Sequence, residues 1–240
     1  MNIVIPAAGR GERFTAGGFT VPKPIIDVNG KPMLQAAVES LGLDGQYIFI
    51  VYDYENEEFN ARIKKAIYDS CKNPKIIKIN YTTHGPAASA LMAKELINND
   101  ESLVITNCDQ IMKWSARQFH EATENRHIDG LVVTYDNSTP KNSYVKLDEF
   151  GWAEEFAEKK VISNYSLNGI HYWSKGKSFV DSAEAMINKN IRVNNEFYIS
   201  ETYNQLIHVG YNIGIHHISA HQHCAIGTPE DLKRYIDENP

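Results

Sequence analysis

Five short apolar runs alternating with helical patterns constrain this chain more than any other feature. The runs cover 3–7, 47–52, 76–81, 103–107 and 130–135, and each is rich in β-branched or aromatic residues. Four of the five are nearly continuously apolar, as strands of a parallel sheet covered on both faces must be. Between them, 32–41, 55–71, 86–98 and 115–125 read as helices. Pro86 suits a first helical turn, where its missing N–H costs nothing. This alternation predicts an α/β chain of right-handed β-α-β units, with ligands at the carboxyl ends of the strands. Residues 9–13, 52–53, 82–85 and 107–110 should then line one crevice.

After Ser138 the pattern changes. Segments 144–148 and 152–157 read as a hairpin around Asp148-Glu149-Phe150-Gly151. A strand at 167–173, helices at 177–188 and 197–208, a strand at 214–219 and a terminal helix at 229–237 follow. No repeat or low-complexity linker marks a second domain, so one domain with lobes 1–137 and 138–240 is expected. A chain of 240 residues buries roughly 70–75% of the surface it exposes when unfolded. Its 42% apolar and 22% charged content is ordinary for a soluble globular protein. A net charge of -6 argues against broad nucleic-acid binding. Three cysteines without C-x-x-C spacing argue against a disulfide framework or zinc ribbon. With no signal-peptide pattern and no membrane-length apolar run, a cytoplasmic protein is expected.

The first run breaks into Ala8-Gly9-Arg10-Gly11-Glu12-Arg13, and Pro22-Lys23-Pro24 follows. Gly9 and Gly11 permit a tight bend whose N–H groups are free of side chains and can wrap phosphate oxygens. Arg10, Arg13 and Lys23 add local positive charge, and the two prolines stiffen the segment carrying Lys23. Phe14 occupies the third glycine position of a dinucleotide fingerprint, which excludes that motif, and no Gly-Lys-Ser or Gly-Lys-Thr of a Walker loop occurs. What remains is A-A-G-R-G-E-R-F followed by P-K-P, read either as a cradle for a nucleotide's phosphates or as a Gly-rich strand-to-helix connection with solvated arginines.

Eight segments in order resemble the nucleotidyltransferases that couple an NTP to a sugar phosphate. They are A-A-G-R-G-E-R-F at 7–14, P-K-P at 22–24, G-P-A-A-S-A-L at 85–91 and N-C-D at 107–109. A-E-K-K at 157–160, N-G-I-H-Y at 168–172, N-E-F-Y-I at 195–199 and G-T-P-E-D-L at 227–232 complete the set. The resemblance implies a Rossmann-like, mostly parallel sheet with helices on both faces and a smaller β-rich acceptor lobe, the GT-A-like form of the fold. It assigns Arg13, Lys23 and Asp109 to catalysis, and Ala8, Gly9, Arg10, Gly11, Gly85, Pro86 and Asn107 to the nucleotide. Glu158, Lys159, Asn168 and Gly169 would face the acceptor, and Asp109 would hold Mg²⁺. The implied partners are a nucleoside triphosphate and a small phosphorylated acceptor, with no nucleic acid and no membrane; homo-oligomerisation is left open.

The chemistry of the residues agrees. A phosphate monoester is largely dianionic at neutral pH, so no serine, histidine or cysteine nucleophile is needed. The obstacle is the approach of one anion to another, which cations and in-line positioning relieve. Asp109, after the apolar run 103–106, is placed to hold a hard cation. Many relatives carry a second aspartate two residues before Gly-Thr-Pro, where this chain has Ala225. Glu196, with Glu201 behind it, is the substitute candidate. Asn142-Ser143 replaces a Tyr-Gly pair common in sugar-specific members, which leaves room for a non-sugar acceptor such as phosphocholine. His208, His216, His217, His221 and His223 raise a zinc site as an alternative, but adjacent His216 and His217 should point to opposite faces of a strand. A glycosyltransferase and a non-catalytic nucleotide-binding subunit are the rival classes. Asn107-Cys108-Asp109 is an incomplete Asp-x-Asp motif, which disfavours the former.

Overall fold

The computed structural model describes residues 1–124 and 128–240. It opens with β1 (Asn2–Ala7), helix α1 (Glu12–Ala16), a 3-10 turn at Lys23–Ile25, and the small ladder β2 (Asp27–Val28) with β3 (Lys31–Pro32). Next come α2 (Met33–Leu41), β4 (Gln46–Tyr52), α3 (Glu57–Ser70), β5 (Lys75–Ile79), α4 (Pro86–Ala90) and α5 (Lys94–Ile97). β6 (Leu103–Thr106), β7 (Gln110–Met112), α6 (Ala116–Thr123) and β8 (Gly130–Asp136) follow. The second half supplies β9 (Ser143–Leu147), β10 (Ala153–Glu158), β11 (Tyr165–Trp173), α7 (Gly176–Asn188) and α8 (Ser200–Ile207). It closes with β12 (Ile213–His217), β13 (His223–Ala225) and α9 (Pro229–Glu238).

The main sheet runs β10-β9-β11-β6-β1-β4-β5, with β8 beside β11 and β12 beside β8. β1 is central, parallel to both β4 and β6. Only β10 and β11 run against the other strands, so the fold is the expected α/β form with a mostly parallel sheet. Alternate side chains of the central strands serve opposite faces. Ile3, Ile5, Phe49 and Val51 pack with Leu34 and Val38 of α2, Ile63 and Ile67 of α3, and Phe119 of α6. Val4, Ile48, Ile50 and Ile105 pack with Ala87, Ile97, Phe179, Met186 and Tyr203 on the other side. A third cluster of Phe14, Ile26, Ile111, Ile226 and Leu232 ties the loops at one end of the sheet to α9.

One feature was not foreseen in the sequence and two expectations are corrected. β8 does not pair with β6, because β11 from the second half inserts antiparallel between them. Both halves of the chain therefore share one sheet, an outcome that periodicity cannot foresee because it reports faces and not neighbours. The helix expected over 86–98 tightens into a 3-10 turn at Leu91–Ala93, which separates α4 from α5. Buried Ala87, Ala90 and Ala93 recur every third residue, a spacing that three residues per turn also keeps on one face. The helix expected from 197 starts only at Ser200, because the Phe197 backbone is bound elsewhere: its N–H donates to His84 and its carbonyl accepts from Ala87. Ser115 caps α6 by accepting from Gln118 N–H; the end expected for that helix, Asn125, lies outside the described residues. Among the described residues, no helix is long and apolar enough to cross a membrane.

Among the described residues two buried side-chain nitrogens lack a hydrogen-bond partner, Trp173 Nε1 and His171 Nδ1. His171 is buried, its ring stacks 5.8 Å from Tyr203 and 6.1 Å from Trp173, and its Nδ1 has no partner. Burial pushes the imidazole from 6.5 down to about 3. The unfolded chain therefore takes up a proton that the folded chain refuses, so this contribution to stability is complete above pH 6.5 and falls as pH drops towards 3. Between pH 7 and pH 5 the loss from this residue is about 2 kcal/mol. His171→Leu, similar in volume, is expected to flatten that part of the acid dependence. Urea unfolding of both proteins at the two pH values measures it, and equal losses would refute the assignment.

Candidate functional site

A cleft of about 430 Å³ opens where β1 and the Gly85 loop end, lined by residues 6–14, Lys23, Thr82, Thr83, Gly85, Pro86, Ser89, Cys108, Glu196 and Gly227. Of the segments expected to line one crevice, 9–13, Thr82, Thr83, Gly85 and Cys108 do so, whereas Tyr52, Asp53, His84, Asn107, Asp109 and Gln110 are not among its lining residues. Asp53 is instead engaged by Lys78 at 2.8 Å. Tyr52 borders a separate groove of about 570 Å³ between α3 and β5.

Local backbone form explains the cleft floor. Gly11 is left-handed at φ 64, and a Cβ there would lie 3.0 Å from the Lys23 Cβ, so glycine lets the Lys23 segment close onto the turn. A Cβ at Gly9 would meet nothing within 4 Å, leaving that backbone open to the cleft. Ala8 is buried beneath it. Across the mouth, Arg10 Nε donates to Thr82 Oγ1 at 2.8 Å. Arg13 is exposed, and its like charge works weakly against protonation of Lys23.

Lys23 and Asp109 meet at the centre. Buried Pro24, Ile25 and Ile26 hold the turn carrying Lys23. Its ammonium donates to Asp109 Oδ2 at 2.5 Å, with the two side chains only 16% and 20% exposed. Burial alone would lower the lysine pKa; the charge of Asp109, with smaller help from Cys108 and the hydrogen bond itself, outweighs that and raises it. A Cβ at Gly227 would come 2.5 Å from Asp109 Oδ2, so glycine leaves room for the carboxylate. Ile226 N–H donates to the Asp109 carbonyl at 2.9 Å. β13 pairs with β7 so that Ala225 stands opposite Gln110, one residue from Asp109. Ala225 therefore presents a methyl where the resemblance leads one to expect a carboxylate. Glu196 is exposed on the cleft rim, in the bend closed by the Val193–Glu196 bridge. Glu201 turns away from Asp109: its carboxylate accepts from Asn204.

The acceptor candidates lie beside this floor. Glu158 is buried at the end of β10, and Lys159 follows it at φ 57. The Lys159 ammonium stands 5.4 Å from the Tyr198 ring centroid. Burial raises the Tyr198 hydroxyl, and the Glu196 and Glu158 carboxylates raise it further, so the segment from Glu196 to Ser200 borders both corners. Asn168 turns inward, where its carboxamide accepts from Ile170 N–H and donates to Met112 Sδ. Gly169 abuts Asn107: a Cβ there would lie 2.1 Å from the asparagine Nδ2. Among the described residues no cluster of three or more His, Cys, Asp or Glu side chains is arranged to hold a metal ion. The C-terminal histidines are dispersed: His216 packs against Trp114 and Phe119, while His217 faces Thr134 and Asp136. His223 packs at a tilt against Tyr135, and burial pushes it down to about 4 despite the opposing pull of Asp109 and Asp231. Thr83 falls in the segment expected to line the crevice; reading by sequence gave no side-chain role to Ser89, Ser143, Tyr198 or Ser200, because a hydroxyl residue has no spacing signature until its distant partner is known.

The chain is 27% identical over 164 residues to the bifunctional protein GlmU of Methanococcus maripaludis strain C5, covering 68% of this chain and 34% of that protein. It is 26% identical to a mannose-1-phosphate guanyltransferase of Aspergillus fumigatus, covering 71% of this chain and 49% of the relative. The chain thus aligns with a third to a half of the length of these curated relatives. A crystal structure of a nucleoside-diphosphate-sugar pyrophosphorylase from Vibrio cholerae RC9 superposes with a TM-score of 0.86 at 23% identity, covering 98% of this chain and 99% of that one. That likeness establishes the fold. With a sequence model for nucleotidyl transferases matching residues 2–234, nearly its whole length, the chain belongs to the nucleotidyl transferase family.

Proposed function

We propose that this protein transfers a nucleotidyl group from an NTP to a phosphorylated acceptor, foremost a sugar 1-phosphate, and releases pyrophosphate. The observation that carries the reading is the ion pair of Asp109 with Lys23, a residue that lines a cleft edged by the Gly9–Gly11 turn. The names of the relatives, which act on mannose 1-phosphate or nucleotide sugars, support the same substrate class.

The triphosphate would lie along residues 8–11, with backbone N–H groups, Arg13 and Lys23 meeting its oxygens. Gly85, Pro86 and the Thr83–Ser89 hydroxyl pair, 2.5 Å apart, flank the space left for the base. The acceptor would enter beside Lys159 and Gly169 and attack the α-phosphorus in line, with pyrophosphate leaving on the opposite side. Lys23 stabilises the charge that accumulates as the new bond forms.

The donor set fits a hard divalent cation. A cation, the Lys23 ammonium, already occupies Asp109 Oδ2, and the side-chain-free Gly227 leaves that oxygen uncrowded. Mg²⁺ held by Asp109, with Glu196 as a second candidate, would neutralise and orient the reacting phosphates when bound.

The test is pyrophosphate release with CTP, UTP, GTP, ATP and dTTP against sugar 1-phosphates and other phosphomonoesters. Release dependent on one acceptor class is expected. NTP binding without turnover on any pair would refute transfer and leave a non-catalytic nucleotide-binding protein.

A further inference from the structure

Glu158 is far more enclosed than a residue meant to touch substrate. Its side chain is 2% exposed, and its carboxylate already accepts from three donors. Ser143, opposite it in the β9–β10 ladder, and Ser200, first residue of α8 and 3.0 Å away, both donate to Oε2. Lys159 Nζ lies 3.1 Å from Oε1. An ionised carboxylate offers about four acceptor sites, so little capacity remains for a hydroxyl of an incoming molecule.

Lys159 is fixed by the same arrangement. Its backbone is left-handed at φ 57, and its ammonium donates to the Lys141 carbonyl at 2.6 Å as well as pairing with Glu158. An ammonium carries three N–H groups. Two are engaged within the protein, and the third belongs to a side chain 37% exposed.

We infer that Ser143 and Ser200 are positioning residues that withdraw Glu158 from the acceptor and make it a brace for Lys159. Acceptor recognition at this corner then runs through one ammonium N–H. It reads an oxygen of a phosphorylated acceptor without selecting its hydroxyl pattern. This rests on the transfer reading above; the local Asn142-Ser143 sequence is what supplies the serine.

Two measurements separate the inference from that reading. The first is kcat/KM for a hexose 1-phosphate and its single-deoxy analogues. Wild type is expected to vary less than about 3-fold among them, by the arithmetic of an unread hydroxyl. Ser143→Ala/Ser200→Ala frees Glu158 and is expected to discriminate against one analogue by about 10-fold or more, through KM for the acceptor and not for NTP, with Ser143→Thr restoring the wild-type pattern. Strong wild-type discrimination that Glu158→Gln abolishes would overturn the inference. The second needs no turnover: the rate at which formaldehyde and a borohydride methylate Lys159, followed by mass spectrometry of the intact fold. That rate should rise several-fold in Glu158→Gln and in the double serine variant, and return with Ser143→Thr. Unchanged Lys159 labelling in all three would overturn the brace even if no acceptor is found.

Discussion

Lys23→Ala is expected to lower turnover about 10²–10³-fold, the usual loss when one preorganised charge facing the reacting phosphates is removed. The fold should persist, because Ile25 and Ile26, not the ammonium, anchor the turn in the core. A metal titration gives a second, non-kinetic readout. In wild type the ammonium occupies Asp109 Oδ2 and competes with any cation that approaches. The alanine variant leaves that carboxylate without its partner, so it should bind Mg²⁺ or Mn²⁺ more tightly than wild type when no nucleotide is present. Pyrophosphate release at near wild-type rates, or weaker metal binding by the variant, would count against the pairing described here.

Gly85→Ala is expected to be strongly destabilising. Gly85 has φ 116, and an added Cβ would lie 2.6 Å from Phe197 N and 2.7 Å from Phe197 O. Those two atoms bind His84 and Ala87, at 2.8 Å and 3.0 Å, so both hydrogen bonds must shift. Strain at such a backbone angle with disruption of two buried bonds amounts to about 3 kcal/mol or more. Gly9→Ala is the control. With nothing within 4 Å of its Cβ, it should change stability by less than about 0.5 kcal/mol. Its methyl nevertheless enters the cleft, so NTP affinity should fall. Urea unfolding and NTP titration of both variants would show this crossing of effects. A Gly85→Ala protein as stable as wild type would exclude the proposed docking of Phe197.

Much of the architecture was legible because it is local. Runs such as Ile3-Val4-Ile5 and Tyr47-Ile48-Phe49-Ile50 carry their own β-propensity and alternation, and the two cores confirm which face each residue serves. The Gly9–Gly11 turn and Pro22-Lys23-Pro24 were legible for a related reason, since glycine and proline restrict the backbone at their own positions. The place of Ala225 was readable only by resemblance, and its meaning came from its pairing with Gln110. Asn168 was assigned to the acceptor, yet its carboxamide faces Met112 and Ile170, because a bulge in β11 sets its direction.

Taken alone, the chain's residues determined the α/β class, the order of most elements, and a cationic glycine-rich entry suited to phosphate. Tertiary structure decided that β11 separates β6 from β8, that the Phe197 backbone bonds to His84 and Ala87 beside Gly85, and that Glu158 pairs with Lys159. It also brought Lys23 against Asp109, 86 positions away. Propensity and periodicity act over a few neighbouring residues, whereas strand order and side-chain partners follow from how whole faces bury against one another.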